Sequence, residues 1–269
     1  MHGAWVPCCI VRFARFLIAD QIAYGPVEGD DADPAGMTVT AIDGHPFAPF
    51  EQTTARFPLA DVKLLPPVLP SKVIGIGKNY AAHAREMGGD APSTPVMFLK
   101  PSTSVIGDDE AIVLPPQSKQ VEHEAELAVV IGRLAREVPA DRVAEVVLGV
   151  TCANDVTARD LQRSDGQWVR AKGFDSFCPT GPWIATDVEF EDLLVQAHVN
   201  GDLRQSGRTS EMVHSVSELV QFVSSVMTLL PGDLILTGTP AGVGVLEHGD
   251  EVTISIESVG SLSNRVVRA

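Results

Sequence analysis

The chain has 269 residues, of which 45% are hydrophobic, and its formal net charge is −15. This length and hydrophobic content exclude a largely disordered chain and allow one large domain, or one domain with a small companion. The acidic balance argues against nucleic acid or an anionic membrane as a partner, and no apolar stretch approaches the roughly 20 residues that span a bilayer.

The amino-terminal stretch, MHGAWVPCCIVRFARFLIA, has some features of a signal peptide. Its charged residues, Arg12 and Arg15, follow the apolar part instead of preceding it, and no small-residue cleavage site is evident. We therefore interpret it as a short extension that leads into a first strand. The cysteines form no C-x-x-C pair, which favours a reduced, cytoplasmic protein. They are Cys8, Cys9, Cys152 and Cys178.

Residues 10 to about 70 have the pattern of short strands separated by turns, and Asp43-Gly44 indicates a hairpin. The Pro-rich segment 64–72 is typical of a linker. The sequence therefore predicts a small N-terminal β domain at residues 1–70 and a larger domain at residues 71–269.

Beyond the linker, strand signals outnumber helix signals. A short helix is expected over residues 80–87, an amphipathic helix over 215–229, and a type I′ hairpin at Asn200-Gly201. Strands are predicted at KVIGIG, VMFLK, AIVLPP, AELAVVIG, VVLGVTCAND, LVQAHVN and LILTG. Because these strands do not alternate with helices, a β-rich α+β fold is favoured over a doubly wound one.

Several common catalytic motifs are missing from the sequence. GIGKNY lacks the third glycine of a dinucleotide fingerprint, and GTPAGVG lacks the Lys-Ser/Thr of a phosphate loop. No G-x-S-x-G elbow is present, and neither the histidines nor the cysteines have zinc-site spacing. A nucleotide-dependent enzyme is therefore disfavoured.

The segment HEAELAVVIG, residues 123–132, places two carboxylates at the entrance of an apolar run. Glu124 and Glu126 share one face of a strand, and Asp155 ends a second apolar strand. If these carboxylates converge within about 4 Å, each pair repels by roughly 4 kcal/mol at an effective dielectric constant of 20, so a cation is needed. Oxygen ligands suit Mg²⁺ or Mn²⁺. The alternative is a salt-bridged edge strand with Lys100 or Lys172 as counter-ion.

Seven ordered stretches resemble the fumarylacetoacetate hydrolase family over about residues 70–260. The chain is most similar to compact bacterial members of the 2-hydroxyhepta-2,4-diene-1,7-dioate isomerase type and to acylpyruvate hydrolases and oxaloacetate decarboxylases. The resemblance implies a β-roll-like catalytic domain, a small N-terminal β domain and commonly a homodimer. The stretches are GKNYAAHAREM, PVMFLKPST, HEAELAVVIG, ANDVTARDLQ, QWVRAKGFDSFCPTGPW, VNGDLRQSGRTSEMVHS and GDLILTGTPAGVG.

The resemblance also implies roles for residues in these motifs. In the family's E-x-E…D pattern, Glu124, Glu126 and Asp155 would be the metal ligands. Lys172, the lysine of RAK, would contact the metal-bound oxyanion. Trp168 and Phe174 are expected to pack around this lysine, and Phe177 and Cys178 are expected to lie in the core.

Four more residues receive roles from the resemblance. Gln162 of RDLQ and Thr239 of TGTP would contact the substrate, and His83 with Glu86 of HAREM would form a His-Glu dyad. On a helix, residues at i and i+3 lie on the same face, so the carboxylate can orient the imidazole as a base. The alternative is a solvated histidine near an ion pair between Glu86 and Arg85.

These residues fit chemistry on a 2-oxo acid, which can chelate Mg²⁺ through its keto and carboxylate oxygens. The metal then stabilises an enolate, a step shared by tautomerisation, decarboxylation and hydrolytic C–C cleavage. The expected function is a divalent-metal-dependent enzyme on small 2-oxo or 2-hydroxydienoic acids, either an isomerase or an acylpyruvate hydrolase. An oxaloacetate decarboxylase or tautomerase is the alternative. A non-catalytic, metal-stabilised binding module is the rival from another class.

Overall fold

The computed structural model describes residues 11–30 and 33–269. The predicted extension, which includes Cys8 and Cys9, lies outside the described residues. In the described part of the chain, no helix combines the length and the apolar character that crossing a membrane requires.

The N-terminal region folds into short strands, as the sequence predicts. The hairpin expected at Asp43-Gly44 is formed by the third and fourth strands, which pair antiparallel. Its connection at residues 44–50 is longer than a two-residue turn, and Gly44 opens it with φ +119°. The strands are β1 (Val11–Ile18), β2 (Gln21–Glu28), β3 (Thr38–Asp43), β4 (Glu51–Pro58) and β5 (Lys63–Leu65).

The rest of the described chain is also rich in strands, and each strand predicted from the sequence is present. Asn200 and Gly201 join two strands with φ values of +54° and +84°, the left-handed conformation that a type I′ turn requires. The strands are β6 (Val73–Gly77), β7 (Val96–Lys100), β8 (Val105–Ile106), β9 (Ile112–Leu114), β10 (Val121–His123), β11 (Ala125–Ile131), β12 (Val147–Asn154), β13 (Thr157–Ala158), β14 (Cys178–Thr186), β15 (Leu194–Val199), β16 (Asp202–Arg208), β17 (Leu234–Leu236), β18 (Gly244–Val245), β19 (Glu251–Ile256) and β20 (Gly260–Arg268).

Four α-helices accompany the strands in the described residues: α1 (Ala81–Glu86), α2 (Arg159–Ser164), α3 (Val169–Lys172) and α4 (Val216–Val226). The predicted helices correspond to α1 and α4, and Ser215 caps α4 by accepting a hydrogen bond from the backbone of Glu218. The sequence did not indicate α2 or α3, because four to six residues are too few to show a helical period.

One large sheet organises the molecule, in the order β4-β3-β2-β1-β14-β12-β11-β17-β6-β7. Strand β1 pairs with β14, so the N-terminal strands continue the sheet of the main region. Strands β5 and β8 pair with β1 and β14 off this path. A five-stranded sheet, β16-β15-β19-β20-β9, and a three-stranded sheet, β13-β10-β18, complete the fold, which confirms the β-rich α+β class.

Strand β11 lies in the interior of the large sheet, between β12 and β17. Its residues Leu127, Val129 and Ile131 belong to one apolar cluster, and Ala128 and Val130 belong to another on the opposite face. A strand buried on both faces needs an unbroken apolar run. This explains the sequence that follows the two glutamates.

Candidate active site

Three carboxylates meet where β11 begins and β12 ends. Glu124 lies at the break between β10 and β11, Glu126 lies in β11, and Asp155 directly follows β12. The backbone N–H of Asp155 donates to the carbonyl of Glu124 over 2.9 Å, which fixes the two chain segments together. One ligand oxygen from each carboxylate lies within 4.8 Å of the others, and all three residues are buried. The structure thus brings together the three predicted metal ligands.

Two lysines lie against this triad. Lys172 Nζ is 2.8 Å from Glu124 Oε2 and 2.5 Å from Asp155 Oδ2. Lys100 Nζ is 2.5 Å from Asp155 Oδ1. Both counter-ions considered in the alternative interpretation are therefore present, but β11 is an interior strand. The edge-strand interpretation is wrong.

Arg159, at the start of α2, is a third buried cation, and sequence reasoning assigned it no role. Its guanidinium contacts Glu124 Oε1 at 2.5 Å, Glu122 Oε2 at 2.7 Å and Gln162 Oε1 at 2.7 Å. Arg159 therefore holds a predicted metal ligand and a predicted substrate contact at the same time. The sequence did contain a signal for Arg159, because this residue is the arginine of the ARDLQ stretch.

Glu124 and Glu126 have opposite electrostatic environments although both are buried. Burial acts to raise the pKa of Glu124, but the charges of Lys172 and Arg159 outweigh it and hold this pKa well below its usual range. Burial and the neighbouring charges of Asp155 and Glu124 raise the pKa of Glu126 well above its usual range. Among the described residues, Glu126 is thus the member of the triad that forms no ion pair, and the charge of Lys172 does not outweigh the effects that raise its pKa.

The backbone supplies a hydrogen bond to Glu126 instead. Gly238 N–H donates to its Oε2 over 2.6 Å. Gly238 has φ +100°, and a Cβ there would lie 2.7 Å from the Cβ of Asn79. Only glycine fits this conformation and this close approach.

The predicted dyad is formed on α1. His83 is 4% exposed, and its Nδ1 is 3.0 Å from Glu86 Oε2. The other carboxylate oxygen of Glu86 accepts a hydrogen bond from Gly242 N–H over 3.0 Å. Glu86 therefore orients the imidazole and also ties α1 to the loop that follows β17, unlike the solvated histidine of the alternative interpretation.

Gln205, a second residue to which the sequence assigned no role, holds Thr239 in place. The hydroxyl of Thr239 donates to the carbonyl of Ala125 over 2.8 Å and accepts from Gln205 Nε2 over 2.8 Å. Gln205 is fully buried, and its Oε1 lies 2.9 Å from Nδ1 of His123. Because Gln205 lies in β16, far from Thr239 in sequence, no local motif could reveal this contact.

The ring of Phe98 packs against Lys172. Lys172 Nζ lies 4.8 Å from the centre of the Phe98 ring, a cation–π distance. Trp168, predicted to pack beside the lysine, contacts Phe98 edge-on with the ring centres 5.4 Å apart. Phe174, the other ring near this lysine in sequence, instead packs on Phe177 in the core.

One pocket of about 40 Å³ gathers most of these side chains. This volume holds a few water molecules and is far smaller than typical ligand pockets of about 300–1,000 Å³. A larger cleft of about 500 Å³, beside Leu114 and Leu246, contains no described group of three metal-ligating side chains. The smaller pocket is lined by Ile76, Gly77, Lys78, His83, Met87, Glu124, Glu126, Arg159, Gln162, Trp168, Lys172 and Thr239.

Cys178 does not contribute a nucleophile to this site. Burial raises the pKa of its thiol to about 11, so the thiolate is not available near neutral pH. It belongs to the apolar core, in agreement with its interpretation from the sequence.

The fold and the pocket define a β-rich α+β protein with a buried carboxylate centre. The family model "Fumarylacetoacetate (FAA) hydrolase C-terminal" matches residues 72–267, and "Rv2993c-like, N-terminal" matches residues 11–67. The chain therefore belongs to the fumarylacetoacetate hydrolase family.

Solved structures and curated relatives agree with this assignment. A 2-hydroxyhepta-2,4-diene-1,7-dioate isomerase from Mycobacterium marinum is 50% identical, with a TM-score of 0.90 over 96% of this chain and 98% of that chain. A fumarylpyruvate hydrolase from Pseudomonas aeruginosa, in complex with Mn²⁺ and pyruvate, is 34% identical, with a TM-score of 0.71 over 81% and 93%. The mitochondrial oxaloacetate tautomerase Fahd2a of Rattus norvegicus is 44% identical over 78% of this chain and 71% of its own length.

Proposed function

We propose that the protein is a divalent-metal-dependent enzyme that acts on small 2-oxo or 2-hydroxydienoic acids. Its reaction is the isomerisation of a 2-hydroxyhepta-2,4-diene-1,7-dioate type of substrate or the hydrolytic C–C cleavage of an acylpyruvate. The observation that carries this proposal is the buried triad of Glu124, Glu126 and Asp155, of which Glu124 and Glu126 line the same pocket as His83 and Lys172.

The triad fits a divalent cation. Its ligands are all carboxylate oxygens, the donors that Mg²⁺ and Mn²⁺ prefer. Four buried carboxylates face three buried cations, which leaves one negative charge uncompensated, and Glu126 carries it. The carboxylates are those of Glu122, Glu124, Glu126 and Asp155, and the cations are Lys100, Arg159 and Lys172.

A cation bound by the triad would supply Lewis-acid stabilisation of the negative charge that develops on the keto oxygen of a 2-oxo acid. Lys172 adds positive charge at the same place. Burial acts to lower the pKa of Lys172, but Asp155 and Glu124 outweigh it and raise this pKa, so the side chain stays protonated. Its two ion pairs and the ring of Phe98 fix its position before the substrate arrives.

His83 is the proposed base for hydrolysis. Glu86 holds Nδ1, which leaves Nε2 as the ring nitrogen that can accept a proton from water. The carboxylate then stabilises the imidazolium that results. Gln162 and Thr239 line the same pocket and are the proposed substrate contacts, positioned by Arg159 and Gln205.

Oxaloacetate tautomerisation or decarboxylation is the second candidate function. It is favoured by the 44% identity to a protein named an oxaloacetate tautomerase. These reactions need the triad and Lys172 but no activated water, so they would depend less on His83 and Glu86.

A substrate panel tests the proposed function. Metal-stripped protein and protein loaded with Mg²⁺ or Mn²⁺ are assayed with oxaloacetate, acetylpyruvate, fumarylpyruvate and a hydroxyheptadienedioate. We expect turnover of at least one compound by the loaded protein only. Full activity after treatment with EDTA, or no turnover of any compound, would contradict the proposal.

A homodimer and a cytoplasmic location are also proposed, on the family resemblance and the unpaired cysteines respectively. Sedimentation of the purified protein tests the first, because a monomer at micromolar concentration would contradict it.

A further inference from the structure

Lys78 is a cation in the pocket that has no acidic partner. The other pocket cations, Arg159 and Lys172, are held by carboxylates at 2.5–2.8 Å. Lys78 is half-buried and lines the same pocket. Within residues 11–30 and 33–269, no ion pair or side-chain hydrogen bond is formed by its ammonium group. A charge in a narrow pocket without a partner is an available binding group for an anion.

The backbone at Lys78 has an unusual conformation and is anchored by the next residue. Lys78 follows the buried strand β6 and has φ +58°, a conformation that residues other than glycine adopt uncommonly. The next residue, Asn79, anchors the chain through Nδ2, which donates to the carbonyls of His214 and Thr237 at 2.9 and 2.8 Å. Its Oδ1 accepts from the N–H of His214 at 2.9 Å.

The ammonium group of Lys78 lies on the side of the pocket formed by α1 and the turn after it. A Cβ placed on Gly89, in that turn, would be 3.8 Å from Lys78 Nζ. Glu124 and Glu126 of the triad line the same pocket as Lys78. A substrate that binds the triad by its 2-oxo acid end therefore has Lys78 within the same pocket as a partner for its other end.

The charge balance indicates what Lys78 binds. With a divalent cation present, the buried cluster carries one net positive charge, which the carboxylate of a 2-oxo acid neutralises. A second carboxylate on the substrate has no counter-charge left in that cluster. Lys78 is the cation that can supply it.

We propose that Lys78 binds the second carboxylate of the substrate and makes the site selective for 2-oxo dicarboxylates over 2-oxo monocarboxylates. This inference rests on the proposed function. It assigns specificity to a lysine that is neither a metal ligand nor part of the dyad.

Binding of paired ligands tests the role of Lys78. Protein loaded with Mg²⁺ is titrated calorimetrically with oxaloacetate and 2-oxobutyrate, which have four carbons each, and with 2-oxoglutarate and 2-oxovalerate, which have five. Each pair exchanges a terminal carboxylate for a methyl group. We expect the dicarboxylate to bind about 10- to 100-fold more tightly in at least one pair, the usual value of a charge-assisted hydrogen bond.

Variants separate the charge of Lys78 from its packing. Lys78→Met keeps the length of the side chain without the charge and should reduce the dicarboxylate preference at least about tenfold, while binding of the monocarboxylate changes by less than about twofold. Lys78→Arg should keep most of the preference. Lys119→Met, an exposed lysine outside the pocket, is the control and should change neither affinity.

The outcomes distinguish this proposal from the proposed function. Wild-type protein that binds both members of each pair equally, or a Lys78→Met protein that keeps the preference or weakens both ligands equally, would overturn the role of Lys78 alone. If no 2-oxo acid binds to the loaded wild-type protein, the proposed function itself is contradicted, and the role of Lys78 with it.

Discussion

The two halves of the pocket are built very differently. The carboxylate centre is mounted on β11 and β12, interior strands of the large sheet, and three buried cations surround it. The His83–Glu86 dyad is carried by α1, a helix of six residues that is tied to the opposite loop through Glu86 and Gly242 N–H. A helix this short has little stability of its own. On this comparison we propose a rigid wall that holds charge and a movable wall that carries the base.

The largest effect is expected at the rigid wall. Glu126→Gln removes a proposed metal ligand but breaks no ion pair, so it should reduce metal-dependent turnover by about 10³-fold or more, since Lewis-acid assistance is worth several kcal/mol. Glu124→Gln should reduce turnover as strongly. Glu145→Gln, at an exposed glutamate, is the matched control for activity.

The same two variants should have opposite effects on the stability of the metal-free protein. Because its pKa is raised in the fold, Glu126 destabilises the metal-free protein at every pH above the usual value of 4.5, and Glu126→Gln should raise the Tm. Glu124→Gln removes one of the two carboxylate partners of Arg159 and one of the two of Lys172, so it should lower the stability by up to about 3–5 kcal/mol. Thermal unfolding of both variants measures the difference, and shifts of equal sign would contradict this view of the triad.

The movable wall should affect hydrolysis more than tautomerisation. Glu86→Ala leaves His83 without its orienting carboxylate, so acylpyruvate cleavage should slow by roughly 10²–10⁴-fold, the usual contribution of a general base. The rate of enol–keto exchange, followed by ultraviolet absorbance at saturating metal, should fall far less. Equal losses in both reactions would mean that the dyad binds substrate or closes the pocket instead of activating water.

The sequence predicted the two walls unequally well. The triad could be inferred because Glu124 and Glu126 lie two residues apart in front of a buried run, and Asp155 ends the neighbouring strand. The cations that balance the triad come from elsewhere in the chain, and their partners depend on sheet order, which periodicity does not give. Gln205 was missed for this reason, whereas Arg159 lies in the ARDLQ stretch, four residues after Asp155, and could have been found. The dyad was predicted from family resemblance, whereas its tie to Gly242, 156 residues away, is visible only in three dimensions.

The mobility of α1 can be measured by hydrogen exchange. The pocket has a volume of only about 40 Å³ in this structure, so we expect the wall formed by α1 to open when a substrate enters. The amides of residues 81–93 should exchange fast in the metal-free protein and up to about 100-fold more slowly when Mg²⁺ and oxalate are present at 100 times their Kd. Amides of α4 should not change. Exchange at 81–93 that both ligands leave unaltered would contradict a movable wall.

The smallest expected effect is a pH dependence of metal affinity. It reports on Glu126 separately from the other two carboxylates of the triad. Because its pKa is raised, Glu126 keeps its proton in the metal-free fold above the usual glutamate pKa of 4.5, and a metal ion must displace this proton. Affinity for Mn²⁺ should therefore rise about tenfold per pH unit from pH 4.5 up to the raised pKa and then level off. Calorimetry in buffers of different ionisation enthalpy should count about one proton released per ion bound in that range.

Glu124, the neighbouring carboxylate, should affect stability in the opposite direction. Its ionisation stabilises the metal-free fold, whereas the ionisation of Glu126 destabilises it. The pKa of Glu124 is held well below its usual range, so Glu124 is already ionised throughout this pH window and releases no proton to the metal. Its ion pairs stabilise the fold above the unfolded pKa of 4.5, and this stabilisation is lost only as the pH falls toward the depressed value. In Glu126→Gln, any residual Mn²⁺ affinity should lose its pH dependence above pH 4.5. A tenfold slope that persists in this variant would assign the displaced proton to another group and remove Glu126 as the uncompensated member of the triad.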